Sequence, residues 1–133
     1  MLTEHEIEIR VRYQETDGQG RVHHANYLTY FEMVRTEMLR ESGTTYRDFE
    51  QSGFMLVVAE MNVRYFLPAD YDDLLRVRVE TTKAKAARIY QKYEVKRGDT
   101  LLATGSSVMA CVDHSGRVRR LPNWITPQHR QQD

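Results

Sequence analysis

The residues best suited to chemistry lie in one polar turn near the start of the chain. Asp17 belongs to this turn, which runs through His23 and His24 into a long amphipathic stretch. Asp17 therefore precedes a predicted helix by a few residues, and the unpaired backbone N–H groups at a helix start attract negative charge. A carboxylate beside such groups can attack an acyl carbonyl or activate a water, while an N–H group holds the oxyanion. The turn predicts chemistry at an acyl carbonyl, and both routes for the carboxylate stay open.

The element before the turn is predicted to be a strand. Residues 5–13 alternate with period two, and their apolar face consists of Ile7, Ile9, Val11 and Tyr13. Such alternation is typical of a half-buried strand. Tyr13 ends this strand and is expected to point inward, either into the core or towards the turn.

The element after the turn is predicted to be a long helix over residues 27–42. Apolar side chains recur there at helical spacing, beginning with Tyr27, Phe31 and Val34. Asn26 has the chemistry and the position of an N-cap. A glycine follows the stretch directly and is expected to end the helix.

The rest of the chain predicts short helices and four further strands. Thr44 or Thr45 could cap one short helix. Alternating apolar positions, separated by turn residues, indicate strands near residues 54–66, 75–80, 89–96 and 101–112. Short turns imply antiparallel pairing, so the predicted architecture is α+β, with one long helix covering one antiparallel sheet. The polar residues 126–133 are predicted to form a last short helix.

Length and composition predict a single domain over residues 1–133. A hydrophobic fraction of 41% is enough for a core, and no stretch approaches the ~20 apolar residues of a membrane span. The 19 basic residues balance 19 acidic ones, so the chain lacks the basic excess of a general nucleic-acid binder. A net charge of zero also removes one barrier to self-association.

Two features of the chain indicate its compartment. The first six residues are acidic and carry no apolar run, so no secretory signal is expected. Cys111 is the single cysteine, which excludes an internal disulfide and agrees with a reducing compartment. We therefore expect a cytoplasmic protein. The histidines contain no i, i+4 pair and no second cysteine joins them, so no metal site is expected.

The turn and the helix carry a motif that resembles the hotdog-fold thioesterases. The similarity is to the branch of 4-hydroxybenzoyl-CoA thioesterase and the Tol-Pal-associated acyl-CoA thioesterases, and its motif reads Tyr13-x-x-Thr16-Asp17-x-x-Gly20-x-Val22-x-His24-x-x-Tyr27-x-x-Tyr30-x-Glu32-x-x-Arg35. A weaker match covers residues 65–69, with Asp72 and Asp73 after it. The resemblance implies a curled antiparallel sheet of about five strands wrapped round one long helix. It also implies a thioesterase that cleaves acyl-CoA to a free acid and CoA.

The resemblance also implies roles for individual residues. Asp17 falls on the catalytic carboxylate of the family, and the oxyanion donor maps to the backbone N–H of His24 or Ala25. The supporting residues around them would be Tyr13, Asn26 and Tyr27. In such proteins the site lies between two subunits, so a homodimer is expected, often paired again into a tetramer. No cofactor is implied, because CoA is part of the substrate.

Some of these roles have alternatives. The His24 side chain could orient Asp17 or a water, or His24 could contribute only its backbone N–H. Glu32 is the rival catalytic acid, because other hotdog enzymes use an acid on the helix, although Glu32 could instead pair with Arg35. A basic cluster could hold CoA phosphates or could be a solvated hairpin tip, and it comprises Lys83, Lys85 and Arg88.

Two other functions fit the same residues. One is a hydratase or dehydratase acting on acyl thioesters, with His24 and Asp17 as the paired acid and base. The other is a non-catalytic module that binds acyl-CoA, although a binder has little need for a carboxylate near an anionic ligand. Gln19 and His23 line the same loop and could alter the acyl group that is accepted.

Overall fold

The computed structural model describes residues 1–125. The short helix predicted for residues 126–133 lies outside the described residues. No helix in the described part is long and apolar enough to cross a membrane. The elements follow in the order β1 (Glu4–Arg10), a 3-10 turn (Tyr13–Glu15), α1 (Asn26–Glu41), α2 (Tyr46–Gln51), β2 (Phe54–Tyr65), β3 (Leu74–Lys85), β4 (Arg88–Arg97) and β5 (Thr100–Asp113).

The five strands form one sheet in the order β1-β3-β4-β5-β2, and every neighbouring pair is antiparallel. Consecutive strands β3, β4 and β5 are hairpin neighbours, as their short turns predicted. β2 follows the helices in sequence and pairs with β5 at the far edge of the sheet. The predicted α+β architecture, with five antiparallel strands and one long helix, is therefore confirmed.

The core forms where the apolar stripe of α1 meets the sheet. Tyr30, Phe31 and Val34 are fully buried in one cluster with the inward side chains of β3 and β4. The ring of Phe31 packs directly on Gly105 of β5, where an added Cβ would lie 2.6 Å from Phe31 Cε2. A glycine in a strand often marks such a close approach. The core thus fixes the position of α1 and, through it, the start of the helix.

The first strand ends earlier than its alternation predicted. β1 stops at Arg10, and Tyr13 begins a 3-10 turn with its side chain 77% exposed, edge-on to the ring of Tyr71. The inward position predicted for Tyr13 is wrong. The reason is local: the Glu15 carboxylate accepts the backbone N–H of Arg12 at 2.9 Å and so turns the chain away from the sheet.

The sequence predicted the cap of α2 correctly and the cap of α1 wrongly. Asn26 is the first residue of α1 and not its N-cap, a position that Ala25 occupies without a side-chain bond. The Asn26 amide instead donates to the carbonyl of Glu15 at 2.8 Å. Thr45 caps α2 as expected, because its hydroxyl accepts the backbone N–H of Asp48 at 3.1 Å.

Candidate active site

Asp17 sits in a tight turn that its own backbone closes. Its N–H donates to the carbonyl of Arg21 at 2.8 Å, and its carbonyl accepts the N–H of Gly20 at 3.0 Å. Carboxylate oxygen Oδ1 accepts the N–H of Gln19 at 2.8 Å. Among residues 1–125, Oδ2 takes part in no hydrogen bond that the structure describes, and the residue is only partly buried. One oxygen therefore holds the turn, and the other is available for chemistry.

The backbone of residues 23–26 presents one donor that no other group uses. The N–H of His23 donates to the carbonyl of Glu15 at 2.9 Å, and the N–H of Ala25 donates to His23 Nδ1 at 3.1 Å. The N–H of His24 has no hydrogen-bond partner within the described residues. Of the two predicted oxyanion donors, Ala25 is thus engaged by a neighbouring ring and His24 is available.

The His24 side chain lies on the surface and packs against His23. Its ring is exposed and stacks on the ring of His23, with the centroids 4.2 Å apart. In the described part of the chain it makes no hydrogen bond to Asp17. Its carbonyl, by contrast, is held by the Tyr65 hydroxyl at 2.9 Å. The structure therefore anchors the backbone of His24 from β2 and leaves the ring on the surface.

Glu15 is the residue of the site that the sequence analysis missed. Its side chain is buried and accepts the Tyr30 hydroxyl at 2.8 Å and the Arg12 guanidinium at 3.0 Å. Burial alone would raise the pKa of Glu15, but the bonds from the Arg12 backbone, Tyr30 and the Arg12 side chain together hold that pKa below its usual range. The available signal was an arginine and a glutamate of opposite charge three residues apart, one in the predicted strand and one in the turn after it.

A second loop, between β2 and β3, supports the turn from the side. Its Ala69 carbonyl accepts the N–H of Val22 at 2.8 Å, and Asp70 forms a bridge with Arg21. The loop is itself held by an ion pair of 2.8 Å between Arg97 and Asp73. Desolvation would raise the pKa of Asp73, but the Asp70 N–H and Arg97 lower it. The two matched segments of the motif, far apart in sequence, therefore meet at one place.

Glu32, the rival acid, lies further along α1 in different surroundings. It lines a cavity of about 420 Å³ between α1, α2 and the sheet, together with Arg35. The predicted Glu32–Arg35 ion pair is not formed in the described structure, since Arg35 instead donates to the Tyr93 hydroxyl at 3.0 Å. Six residues along a helix correspond to roughly 9 Å, so Glu32 is well separated from the helix start.

The basic cluster lies at the other end of the sheet. Lys83, Lys85 and Arg88 are exposed on the β3–β4 hairpin. Tyr65 marks the end of the sheet near the site, because its hydroxyl contacts His24. Tyr65 pairs with Ala103 of β5 and Arg88 with Ala110, so Tyr65 and Arg88 lie roughly 23 Å apart along the strand. One chain alone does not bring the cluster to Asp17. Within residues 1–125 there is also no group of three or more His, Cys, Asp or Glu side chains that could hold a metal ion.

Comparison with known proteins places this geometry in a family. The thioesterase-like superfamily matches residues 11–128. The acyl-CoA thioester hydrolase YbgC of Escherichia coli is 33% identical over 92% of this chain and 93% of its own, and the acyl-CoA thioesterase YbgC of Haemophilus influenzae is 37% identical over 79% and 78%. The DHNA-CoA thioesterase of Staphylococcus aureus superposes with a TM-score of 0.85 at 31% identity, over 90% of this chain and 82% of that one. The chain belongs to the thioesterase-like superfamily and has its hotdog fold.

Proposed function

We propose that the protein hydrolyses acyl-CoA thioesters to a free acid and CoA. One observation carries the proposal: Oδ2 of Asp17 and the N–H of His24, both without a hydrogen-bond partner among residues 1–125, lie in two short segments held together at the start of α1. The positive end of the helix dipole favours both the ionised carboxylate and an oxyanion. The relatives from Escherichia coli and Haemophilus influenzae, with their names, support the acyl-CoA substrate.

The reaction needs few groups beyond these two. The Asp17 carboxylate attacks the thioester carbonyl and expels CoA thiolate to form a mixed anhydride, which water then hydrolyses to the free acid and Asp17, or it takes a proton from a water that attacks the carbonyl. The carbonyl oxygen becomes an oxyanion and accepts the N–H of His24. The thiolate of CoA is a good leaving group, so the step requires little acid assistance and, in this proposal, no cofactor.

The test is to follow thiol release from a panel of aliphatic and aromatic acyl-CoAs. Asp17→Asn should lower kcat by at least ~10²-fold, because it removes the proposed base or nucleophile and preserves the shape of the turn. Glu32→Gln is the matched control, since it makes the same change on the rival acid. His24→Ala should keep most of the activity, because the proposed donor is its backbone N–H.

Three results would contradict the proposal. Activity that survives Asp17→Asn and vanishes with Glu32→Gln would move the chemistry to the helix. Consumption of enoyl-CoA without thiol release would indicate a hydratase. Saturable binding of acyl-CoA with no turnover across the panel would indicate a binding module.

We also propose that the working protein is a homodimer, with a tetramer of two such dimers as the alternative assembly. The two edges of the sheet differ in a way that supports this. The β1 edge is short and carries a charged residue at every second position. β2, in contrast, is twelve residues long, and its Val57 is 40% exposed and its Val58 52% exposed. A long, apolar, unpaired edge strand is a template for pairing with another chain. A second subunit could also bring Lys83, Lys85 and Arg88 to the CoA phosphates of its neighbour's site.

A further inference from the structure

Glu15 contributes to the site through its backbone carbonyl as well as through its buried carboxylate. It lies two residues before Asp17, and its backbone carbonyl accepts both the His23 N–H, at 2.9 Å, and the Asn26 side-chain amide, at 2.8 Å. These two donors are the residues on either side of the His24–Ala25 pair. A single carbonyl thus brackets the proposed oxyanion donor from both directions.

The side chain of Glu15 fixes that carbonyl in space. Oε1 accepts the Tyr30 hydroxyl at 2.8 Å and the Arg12 N–H at 2.9 Å, and Oε2 accepts the Arg12 guanidinium. Tyr30 is fully buried on α1, and Arg12 ends the segment that follows β1. The carboxylate therefore joins α1, through the buried Tyr30 bond, to the segment that follows β1, through Arg12, whose own side chain is 65% exposed.

The turn that carries Asp17 has few other ties to α1. Its remaining bonds close the turn on itself or reach the β2–β3 loop through Val22 and Arg21. The separation between the Asp17 carboxylate and the His24 N–H consequently depends on Glu15. Reactions that use two fixed groups are sensitive to such separations, since a displacement of about 1 Å can lower the rate ~10²-fold.

We infer that Glu15 is a positioning residue that sets the distance between the Asp17 carboxylate and the oxyanion-binding N–H of His24. The inference rests on the proposed function. Glu15 touches neither the substrate nor the reacting atoms. Its contribution is made in the transition state, where both groups must act at once, and hardly at all in substrate binding.

The test compares kcat and KM of Glu15→Gln and Glu15→Asp with those of the wild type, per mole of folded protein. Glu15→Gln sets an amide N–H against the Arg12 guanidinium, so a donor faces a donor. We expect kcat to fall roughly 10- to 100-fold with KM little changed, and Glu15→Asp, which keeps the charge, to recover part of that loss. Amide hydrogen exchange at His23 should accelerate in Glu15→Gln. In an Asp17→Asn background the same substitution should lower kcat by less, because the two groups act as a unit.

The matched control is Asp113→Asn. Asp113 is also a carboxylate that accepts a hydrogen bond from an arginine, Arg119 at 2.8 Å, but it is the last residue of β5 and has no hydrogen bond to the Asp17 turn in the described structure. The Asp113→Asn variant should have the kcat of the wild type. If Glu15→Gln does not fold, Tyr30→Phe and Asn26→Ala each remove one bond of the same network and should each lower kcat.

Folded Glu15→Gln with the kcat of the wild type would overturn the inference, as would unchanged kcat in both substitute variants. A lower melting temperature with the same kcat per folded molecule would show a structural role only, and would also overturn it. These results leave the proposed function intact. The proposed function fails separately, if Asp17→Asn retains full thiol release.

Discussion

At the scale of single residues, two carboxylates two positions apart have opposite environments. Asp17 is partly exposed and keeps one oxygen free, which suits a group that must meet a substrate. Glu15 is buried, and both its oxygens accept hydrogen bonds. A buried charge persists only when it is paired and hydrogen-bonded, so Glu15 depends on Arg12 and Tyr30.

The lowered pKa of Glu15 predicts how stability depends on pH. A carboxylate whose pKa falls on folding stabilises the native state above its unfolded pKa, about 4.3, and loses that contribution as the pH drops through its folded pKa. The difference in free energy of unfolding between the wild type and Glu15→Gln should therefore be largest near neutral pH and shrink below about pH 4.3. Urea titrations at constant protein concentration, from neutral to acidic pH, measure it. A difference that grows on acidification would show the opposite sign of shift.

At the scale of elements, the site depends on how α1 lies on the sheet. The Phe31 ring stacks on Tyr93 of β4, with the centroids 4.4 Å apart, and rests on the bare backbone of Gly105. Tyr65 at the end of β2 reaches across to the His24 carbonyl. The start of the helix is thus placed by packing along its length, by the hydrogen bond from Tyr65 and by the two hydrogen bonds to the Glu15 carbonyl.

Gly105→Ala tests this packing. The added methyl would lie 2.6 Å from Phe31 Cε2 and 3.2 Å from the Asn62 carbonyl, so either the ring or the strand must move. We expect a loss of about 1–3 kcal/mol in the free energy of unfolding, the usual range for overpacking. Gly18→Ala is the control, because nothing lies within 4 Å of a Cβ at that position. Equal stabilities of the two variants in urea unfolding would contradict the close approach.

At the scale of the whole molecule, the two edges of the sheet differ in their exposed side chains and so in their tendency to pair with another chain. The exposed side chains of β1 include Glu4, Glu6 and Glu8, which protect that edge from pairing. β2 has an exposed Glu60 and a bulge between Val58 and Glu60, so only its first half, with the exposed Val57 and Val58, lacks such protection. With a net charge of zero, no overall repulsion opposes association of two copies. A two-fold contact between β2 edges would bury the same surface on both subunits.

Val58→Lys should weaken this association. The lysine places a charge on the apolar edge, where a second copy would have to desolvate it. Sedimentation at micromolar concentration should show the wild type at about two or four times the mass of one chain and the variant shifted towards one chain. Glu8→Lys puts the same charge on the β1 edge and should sediment like the wild type. A wild type that sediments as a single chain would contradict the proposed homodimer.

The sequence alone determined the architecture, and it predicted Asp17 as the principal site residue. Period-two and helical patterns predicted the five strands, α1 and the cap of α2, because burial of one face imposes those periods locally. The motif around Asp17 is contiguous, so it could be recognised without knowledge of the fold. Asn26 was misassigned because its amide bonds the Glu15 carbonyl eleven positions earlier, and Tyr13 because the local bond between Glu15 and Arg12 ends the strand early.

Only the tertiary structure decided which groups around Asp17 are available. The bond that engages the Ala25 N–H is local, to the His23 ring two positions earlier, but the anchor of the His24 carbonyl is Tyr65, forty-one positions away. The bracketing role of Glu15 likewise appears only when Tyr30 and Asn26 are brought against the turn. A pattern in sequence records which face of an element is buried, whereas the partner of each polar atom is set by contacts between elements.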